Sequence, residues 1–259
     1  LSQAAFAGPL SQTRATRIVA RLARSQPQTV LDIGCGWGEL MLRVLEAVPG
    51  ATGVGLDTHE PDLARARDSA GSRGLADRVT FVAESGVGTT REPADLVLCV
   101  GASHALSEAE PPAHTAAALA ELRRLVTPGG RVLLGEGFWH RPPSPAELAA
   151  MWPGTAIGEQ CDLATLADLT VQAGFRPAWI ETATLEEWED FESAYQCDQE
   201  EWLAAHPDHP RAAGLRDTLD QHRSYWLRGY YGILGMAYLT LIPASQPAAP
   251  DGQPAAQDG

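Results

Sequence analysis

The sequence predicts an α/β protein in which a mostly parallel, doubly wound sheet is covered by helices on both faces. Short apolar stretches typical of buried strands alternate with longer stretches of helical periodicity along the whole chain. One of them, Ala-Asp-Leu-Val-Leu-Cys-Val at 94–100, is almost continuously apolar, as expected of a strand covered on both faces. The chain has 259 residues, of which 44% are hydrophobic, which is enough for one large domain with its own core.

Composition excludes several kinds of chemistry. The formal net charge of −14 argues against DNA or RNA as a partner, because nucleic-acid affinity depends on clustered basic side chains that neutralise phosphates. The chain has no lysine, which excludes a phosphate-binding P-loop and a pyridoxal phosphate Schiff base. Its four cysteines are widely spaced, so we predict neither a metal site nor a disulfide framework. A small molecule is the expected partner.

The chain lacks the features of a membrane or exported protein. No apolar stretch approaches the length of a membrane span, and residues 1–10 have neither a basic start nor a long apolar stretch. We therefore predict a cytoplasmic protein with no membrane partner. The sequence leaves the oligomeric state open.

The first predicted strand, 29–33, ends in a glycine-rich turn before a helix that begins at Glu39. Gly34, Gly36 and Gly38 occupy alternate positions, so the backbone can approach a ligand while the helix start offers free N–H groups. A dinucleotide fingerprint requires glycine at position 39, where this chain has glutamate. The mismatch weakens the interpretation as an NAD site, so the turn predicts a site for another nucleotide-like ligand, with an NAD-dependent oxidoreductase as a less favoured alternative.

An amphipathic helix over 10–24 precedes this first strand. Two interpretations stay open for this part of the chain. The segment from Phe6 to Arg14 folds over the ligand as a lid, or the helix only covers an edge of the sheet.

The next two predicted strands place acids at their carboxyl ends. The second strand, 53–57, ends in Asp57, whose carboxylate can accept hydrogen bonds from both ribose hydroxyls. The alternative is that Asp57 or Thr58 caps the following helix. The third strand, 78–83, is followed by Glu84 and Ser85, which are either ligand contacts or an ordinary polar strand end.

The fourth strand, 94–100, ends in Val100 and Gly101, and Ser103 and His104 follow. Ligands of open parallel sheets lie outside the carboxyl ends of the strands, so this segment is expected to face the reacting groups. His104 is a candidate general base, because the unperturbed histidine pKa suits proton transfer near neutral pH. The alternative is that His104 is an ordinary loop residue.

A helix over 113–126 is broken by Thr-Pro-Gly-Gly at 127–130, and a fifth strand follows at 131–135. Glu136, Phe138 and Trp139 come directly after it. Glu136 is a second catalytic candidate, because it could hydrogen-bond an amine or hydroxyl. Phe138 and Trp139 could wall a substrate pocket or serve only in packing. A helix at 163–173 and a sixth strand at 175–184 continue the alternation.

Two motifs in this order resemble those of the class I S-adenosylmethionine-dependent methyltransferases. The first is the acidic residue with three alternate glycines, from Asp32 to Gly38, and the second is the Leu125 to Gly130 helix end. The resemblance implies a Rossmann-like sheet of seven strands whose last strand, 233–242, runs antiparallel between the fifth and sixth. It implies S-adenosylmethionine as cofactor and S-adenosylhomocysteine as product. The cofactor-binding candidates are Asp32, Gly34, Cys35, Gly36, Gly38, Asp57, Thr58, Glu84, Ser85, Val100 and Gly101.

The chain is also similar to a bacterial branch of that family with a helical insertion before the last strand, here 185–229. We expect a methyltransferase domain over 1–242, with the insertion covering the substrate, and a disordered tail over 243–259. Ser103, Phe138, Trp139 and Tyr195 are the substrate-binding candidates. The expected reaction is methyl transfer to an oxygen, nitrogen or carbon nucleophile of a small metabolite. The alternative is a non-catalytic S-adenosylmethionine-binding or regulatory protein.

Overall fold

The computed structural model describes residues 5–244, and the tail predicted over 243–259 falls outside this range except for its first two residues. Seven strands form one sheet: β1 (Thr29–Ile33), β2 (Thr52–Asp57), β3 (Val79–Ala83), β4 (Ala94–Val100), β5 (Val126–Trp139), β6 (Phe175–Thr182) and β7 (Leu234–Pro243). Their spatial order is β3-β2-β1-β4-β5-β7-β6.

The strand directions confirm the predicted fold class. Strands β1 to β5 pair in parallel, whereas β7 lies between β5 and β6 and is antiparallel to both. The order reverses beside β1, so the turns after β1 and β4 open on a crevice at the carboxyl edge of the sheet. Ligands of doubly wound sheets bind in this crevice.

Helices cover both faces of the sheet. The described α-helices are α1 (Gln12–Ala23), α2 (Glu39–Ala47), α3 (Glu60–Ser72), α4 (His114–Leu125), α5 (Pro145–Ala150), α6 (Leu163–Gln172), α7 (Leu185–Ala205) and α8 (Ala212–Ser224). The apolar sides of α1, α2 and α3 form one core cluster with one face of the sheet, and those of α4 and α6 form a second cluster with the other face. The protein thus has the three layers predicted from its sequence.

Strand β5 is longer than predicted at both ends. It begins at Val126, because residues 127–130 form a bulge: Ala94 of β4 pairs with Val126, and Leu96 already pairs with Arg131. Gly129 permits this bulge with a φ of +81°. Strand β5 continues to Trp139 because β7 pairs with it as far as Leu234. The pairing partner is about 100 residues away along the chain, so the local sequence does not indicate this extension.

The insertion consists of α7, α8 and a π-helical segment, Tyr225–Tyr230. Helix α7 begins with a capping box in which Thr184 and Glu187 satisfy each other's backbone N–H groups. Glu187 also accepts three hydrogen bonds from Arg14 of α1, at 2.7–2.9 Å. The insertion is therefore attached to the N-terminal helix by a buried ion pair.

Within residues 5–244, no helix is long and apolar enough to cross a membrane.

Candidate active site

The glycine turn after β1 has the tight geometry that its sequence predicts. Gly34, Gly36 and Gly38 all have positive φ angles, of +63°, +52° and +69°. A Cβ atom at Gly34 would lie 2.4 Å from the Cβ of Ala102, and one at Gly38 would lie 2.5 Å from the ring of Phe81. At these two positions, both the conformation and the lack of space require glycine.

Asp57 is attached directly to this turn. Its Oδ2 accepts a hydrogen bond from the Gly36 N–H at 2.8 Å, and its Oδ1 accepts one from the His59 N–H at 2.9 Å. A carboxylate has about four lone-pair positions, so each oxygen can still accept a hydroxyl. The N-cap of α3 is His59, not Asp57 or Thr58. This arrangement suits the predicted contact with two ribose hydroxyls.

Two cavities lie against the turn. The inner cavity, about 80 Å³, is bounded by Phe6, Leu10, Asp32 and Tyr238, and the outer cavity, about 380 Å³, by Asp57, Thr58, Ser85, Gly101 and His104. Their walls share Ala7, Gly34, Gly36, Trp37 and Val100. A molecule with a short polar end and a larger planar end could extend across the turn and occupy both.

Asp32 is the buried acid of the inner cavity. Its side chain lies at the end of β1 and is only 6% exposed. Burial, with a further contribution from the neighbouring Asp57 carboxylate, raises the pKa of Asp32 to about 8. An ammonium or sulfonium group placed nearby would favour the ionised form of this carboxyl.

Residues 5–10 form the roof of the inner cavity. The Trp37 indole donates to the carbonyl of Ala5 at 2.9 Å, and the Tyr238 hydroxyl donates to that of Pro9 at 3.0 Å. Phe6, which is part of this roof, is only 7% exposed. Phe6, Ala7, Gly8 and Leu10 line the inner cavity, whereas α1 packs against α2. That the segment from Phe6 to Arg14 covers the ligand as a lid stays a prediction.

Glu84 and Ser85 lie at the far end of the outer cavity. Glu84 is paired with Arg91 at 2.5 Å and accepts a hydrogen bond from Thr89. The hydrogen bond from Arg91 holds the pKa of Glu84 below its usual value. Ser85 is exposed and accepts only from the Val87 N–H at 3.2 Å. Ser85 is therefore the freer of the two to contact an adenine.

The two catalytic candidates occupy different surroundings. His104 is exposed and lines the outer cavity. Glu136 is 7% exposed, accepts hydrogen bonds from Ser103 and from the Gly137 N–H, and lies in the wall of neither cavity. Burial raises the pKa of Glu136, and its Oε2 atom has no hydrogen-bond partner in the described structure. His104 and Glu136 are thus not brought together in one cavity.

The remaining candidates lie in the turn, in the protein interior and on the exposed surface of α7. Cys35 lies in the turn, where burial raises the pKa of its thiol, and Gly101 has a φ of +68° at the end of β4. Phe138 and Trp139 are buried, and Trp139 donates to the Ile157 carbonyl. Tyr195 is 50% exposed and lies 5.2 Å from the His222 ring. These last three side chains line neither cavity, so their contact with substrate stays a prediction.

Sequence reasoning missed two aromatic residues of the site. Trp37 lies in the wall of both cavities, and Tyr238 lies in the wall of the inner one. Trp37 could have been identified from the sequence, because it lies between two glycines of the predicted ligand-binding turn. No local pattern identifies Tyr238 as a site residue, because its contact with Pro9 spans 229 residues of sequence.

Comparison with known proteins agrees with this geometry. A family model described as a methyltransferase domain matches residues 31–132, from β1 into β5. The uncharacterised protein YjhP of Escherichia coli is 30% identical over 204 residues, which cover 78% of this chain and 79% of YjhP. The crystal structure of YjhP superposes with a TM-score of 0.78 at 26% identity, covering 92% of this chain and 95% of that one.

A second similar solved structure contains a bound ligand. The S-adenosylmethionine-dependent methyltransferase of Geobacter sulfurreducens, crystallised with S-adenosylhomocysteine, is 26% identical with a TM-score of 0.79. The alignment covers 93% of this chain and 94% of that protein. The fold and the glycine turn thus define an S-adenosylmethionine-dependent methyltransferase. The chain belongs to the class I family of these enzymes, in the group that includes YjhP, and its cofactor is S-adenosylmethionine.

Proposed function

We propose that this enzyme transfers the methyl group of S-adenosylmethionine to an oxygen, nitrogen or carbon nucleophile of a small-molecule metabolite. The observation that carries the proposal is the outer cavity, which runs from the Asp57 carboxylate to His104 at the carboxyl edge of β4. A bound ribose at Asp57 would leave the reactive end of the cofactor near the turn and β4. The net charge of −14 favours a metabolite over a nucleic acid as the acceptor.

The donor end of the reaction depends mainly on the backbone. The three glycines of the turn allow the methionine part to lie close to the chain, while Asp32 meets its ammonium group and Asp57 holds the ribose. The sulfonium is already a strong electrophile. The protein therefore contributes chiefly alignment and exclusion of water, which together can lower the barrier by roughly 7–11 kcal/mol.

His104 is the proposed general base if the acceptor must lose a proton. It is exposed to the outer cavity, where a bound acceptor could reach it. Glu136 is the second candidate, with Ser103 as its hydrogen-bonded neighbour. Burial raises the pKa of Glu136, which brings the basicity of its carboxylate closer to that needed for proton transfer near neutral pH.

The insertion at 185–229 is proposed to cover the acceptor. Two contacts support this: the Arg14–Glu187 ion pair holds α7 beside the roof of the inner cavity, and Trp188 packs against both the central core and the cluster around Trp139. Phe138, Trp139 and Tyr195 would contact the acceptor only if the insertion shifts when it binds. In this view residues 1–242 work as one domain. A cytoplasmic location stays a prediction from the sequence.

A metabolite screen tests the function. The protein is incubated with S-adenosylmethionine and fractionated metabolite pools, and mass spectrometry follows both S-adenosylhomocysteine and products heavier by one methylene unit. The proposal predicts that both increase in at least one pool. A protein that binds S-adenosylmethionine yet forms no S-adenosylhomocysteine with any pool would instead be the non-catalytic binding protein.

A further inference from the structure

A further cavity, here called the α7 cavity, lies between the N-terminal segment and helix α7 and has a volume of about 250 Å³. One of its walls is formed by residues of the segment 5–12. Three of these residues, Phe6, Gly8 and Leu10, line the inner cofactor cavity as well. The α7 cavity and the donor site therefore adjoin the same stretch of chain.

The opposite wall of the α7 cavity is one face of α7. Its lining residues recur at helical spacing, so their side chains project to the same side of the helix: Glu187, Asp190, Phe191 and Ala194. Phe191 and Ala194 are half-buried and face the apolar residues of the N-terminal segment across the cavity. Ligand pockets usually measure about 300–1,000 Å³. A cavity just below that range fits a small molecule with an apolar body.

The two carboxyl groups that line the α7 cavity differ in their pairing. Glu187 is ion-paired with Arg14 at 2.7 Å and also accepts a hydrogen bond from the Ser11 N–H. Asp190 is exposed and has no hydrogen-bond or ion-pair partner among residues 5–244. The carboxylate of Asp190 is therefore the charge in this cavity that a ligand could neutralise.

The sequence around Asp190 adds negative charge to this side of the protein. Between residues 181 and 201 the chain has nine acids and no arginine or lysine. In the described part of the chain, neither arginine nor histidine lines the α7 cavity. Arg43 stacks on the ring of Phe6 at 4.9 Å, but it is paired with Glu39. A surface whose charges have one sign attracts ligands of the opposite sign, so this cavity favours a cation.

We propose that the α7 cavity binds a small amine with an apolar body, with the ammonium group at Asp190 and the apolar part between Phe6 and Phe191. The ammonium supplies the charge partner that Asp190 lacks, whereas an anion of the same shape is repelled. Such an amine has two possible sources. It is either the methyl acceptor, in which case the inference rests on the proposed function and names its substrate class, or a separate ligand that is not methylated.

Calorimetry with three probes of similar size tests the site on the wild-type protein without cofactor. The probes are 2-phenylethylamine, 2-phenylethanol and phenylacetate, which carry a cation, a neutral hydroxyl and an anion on the same phenyl body. We expect saturable binding of the amine, about fivefold tighter than that of the alcohol, with phenylacetate the weakest and the differences shrinking at high salt. No saturable binding of the amine, or equal affinities for the amine and the alcohol, would overturn the proposal.

Three variants locate the binding. Asp190→Asn keeps the size of an exposed side chain and is expected to bring the affinities for the amine and the alcohol within about twofold of each other. Glu201→Gln, its control, removes an exposed carboxylate from the far end of α7 and should leave the preference unchanged. Ala194→Leu fills the cavity without changing a charge and should weaken both probes about tenfold. An unchanged preference in Asp190→Asn, or wild-type affinities in a folded Ala194→Leu variant, would overturn the proposal.

Product analysis with S-adenosylmethionine present then distinguishes the two sources of the amine. If the amine is the acceptor, it first gives a proton to water, and its nitrogen bonds to the methyl carbon as the carbon–sulfur bond breaks with its electron pair on sulfur. Mass spectrometry then finds N-methylated phenylethylamine together with S-adenosylhomocysteine. Binding without methylation supports the site as that of a separate ligand. Because binding is measured without cofactor, an amine that does not bind overturns this inference alone and leaves the proposed methyl transfer to the metabolite screen.

Discussion

The donor side and the acceptor side of this enzyme are built in different ways. On the donor side, the backbone determines the site: Asp57 is hydrogen-bonded to Gly36, and Gly34 leaves no room for a side chain. On the acceptor side, the candidates are an exposed histidine after β4 and a buried glutamate with an unpartnered oxygen. We propose that the donor site is formed before ligands bind, whereas the acceptor site is completed by its substrate and by the insertion.

The largest expected effect is a loss of turnover on the acceptor side, when the candidate base His104 is replaced. His104→Ala should lower turnover by about 10²–10⁴-fold if His104 is the general base, because general-base catalysis contributes this much. S-adenosylmethionine affinity should change little, since the histidine is exposed. Single-turnover rates and calorimetry give the two values, with His59→Ala, an exposed histidine on the same edge, as the control. Turnover equal to wild type would remove His104 from the mechanism.

The buried ion pair between Arg14 of α1 and Glu187 of α7 is expected to contribute strongly to the free energy of unfolding. Arg14→Met leaves the buried Glu187 without its partner and should lower the free energy of unfolding by roughly 3–5 kcal/mol. Arg17→Met is the control, because Arg17 is 57% exposed and lies 3.9 Å from Glu181. It should cost about 0–1 kcal/mol. Denaturant unfolding measures both, and equal losses would show that the α1–α7 ion pair does not hold the insertion in place.

A pair of glycine variants tests how rigidly the donor turn is built. Gly34→Ala combines a positive φ with a clash against Ala102, and should lower the free energy of unfolding by roughly 2–5 kcal/mol. Gly36→Ala has a similar φ but no atom within 4 Å of its Cβ, so it should cost only about 1–2 kcal/mol. Thermal and denaturant unfolding compare the two variants. A Gly36→Ala variant as damaged as Gly34→Ala would contradict the steric account.

The sequence predicted the donor side much better than the rest. The alternation of strands and helices and the glycine turn follow from local patterns, namely alternating apolar and helical stretches and three alternate glycines. The position of the last strand between the fifth and sixth was predicted from the family resemblance alone. The roof of the inner cavity did not follow, since it depends on Tyr238 reaching Pro9 and on Trp37 reaching Ala5. The buried positions of Phe138 and Trp139 depend on the pairing of β5 with β7, which the local sequence also does not indicate.

We propose that Asp57 holds the cofactor ribose at a preformed donor site, and the most direct test is calorimetric titration of Asp57→Ala with S-adenosylmethionine. Losing a charge-assisted hydrogen bond should weaken binding by about 1.5–3 kcal/mol, while Asp62→Ala, at the same cavity, should bind nearly as wild type does. Unchanged affinity in a folded Asp57→Ala variant would contradict the claim.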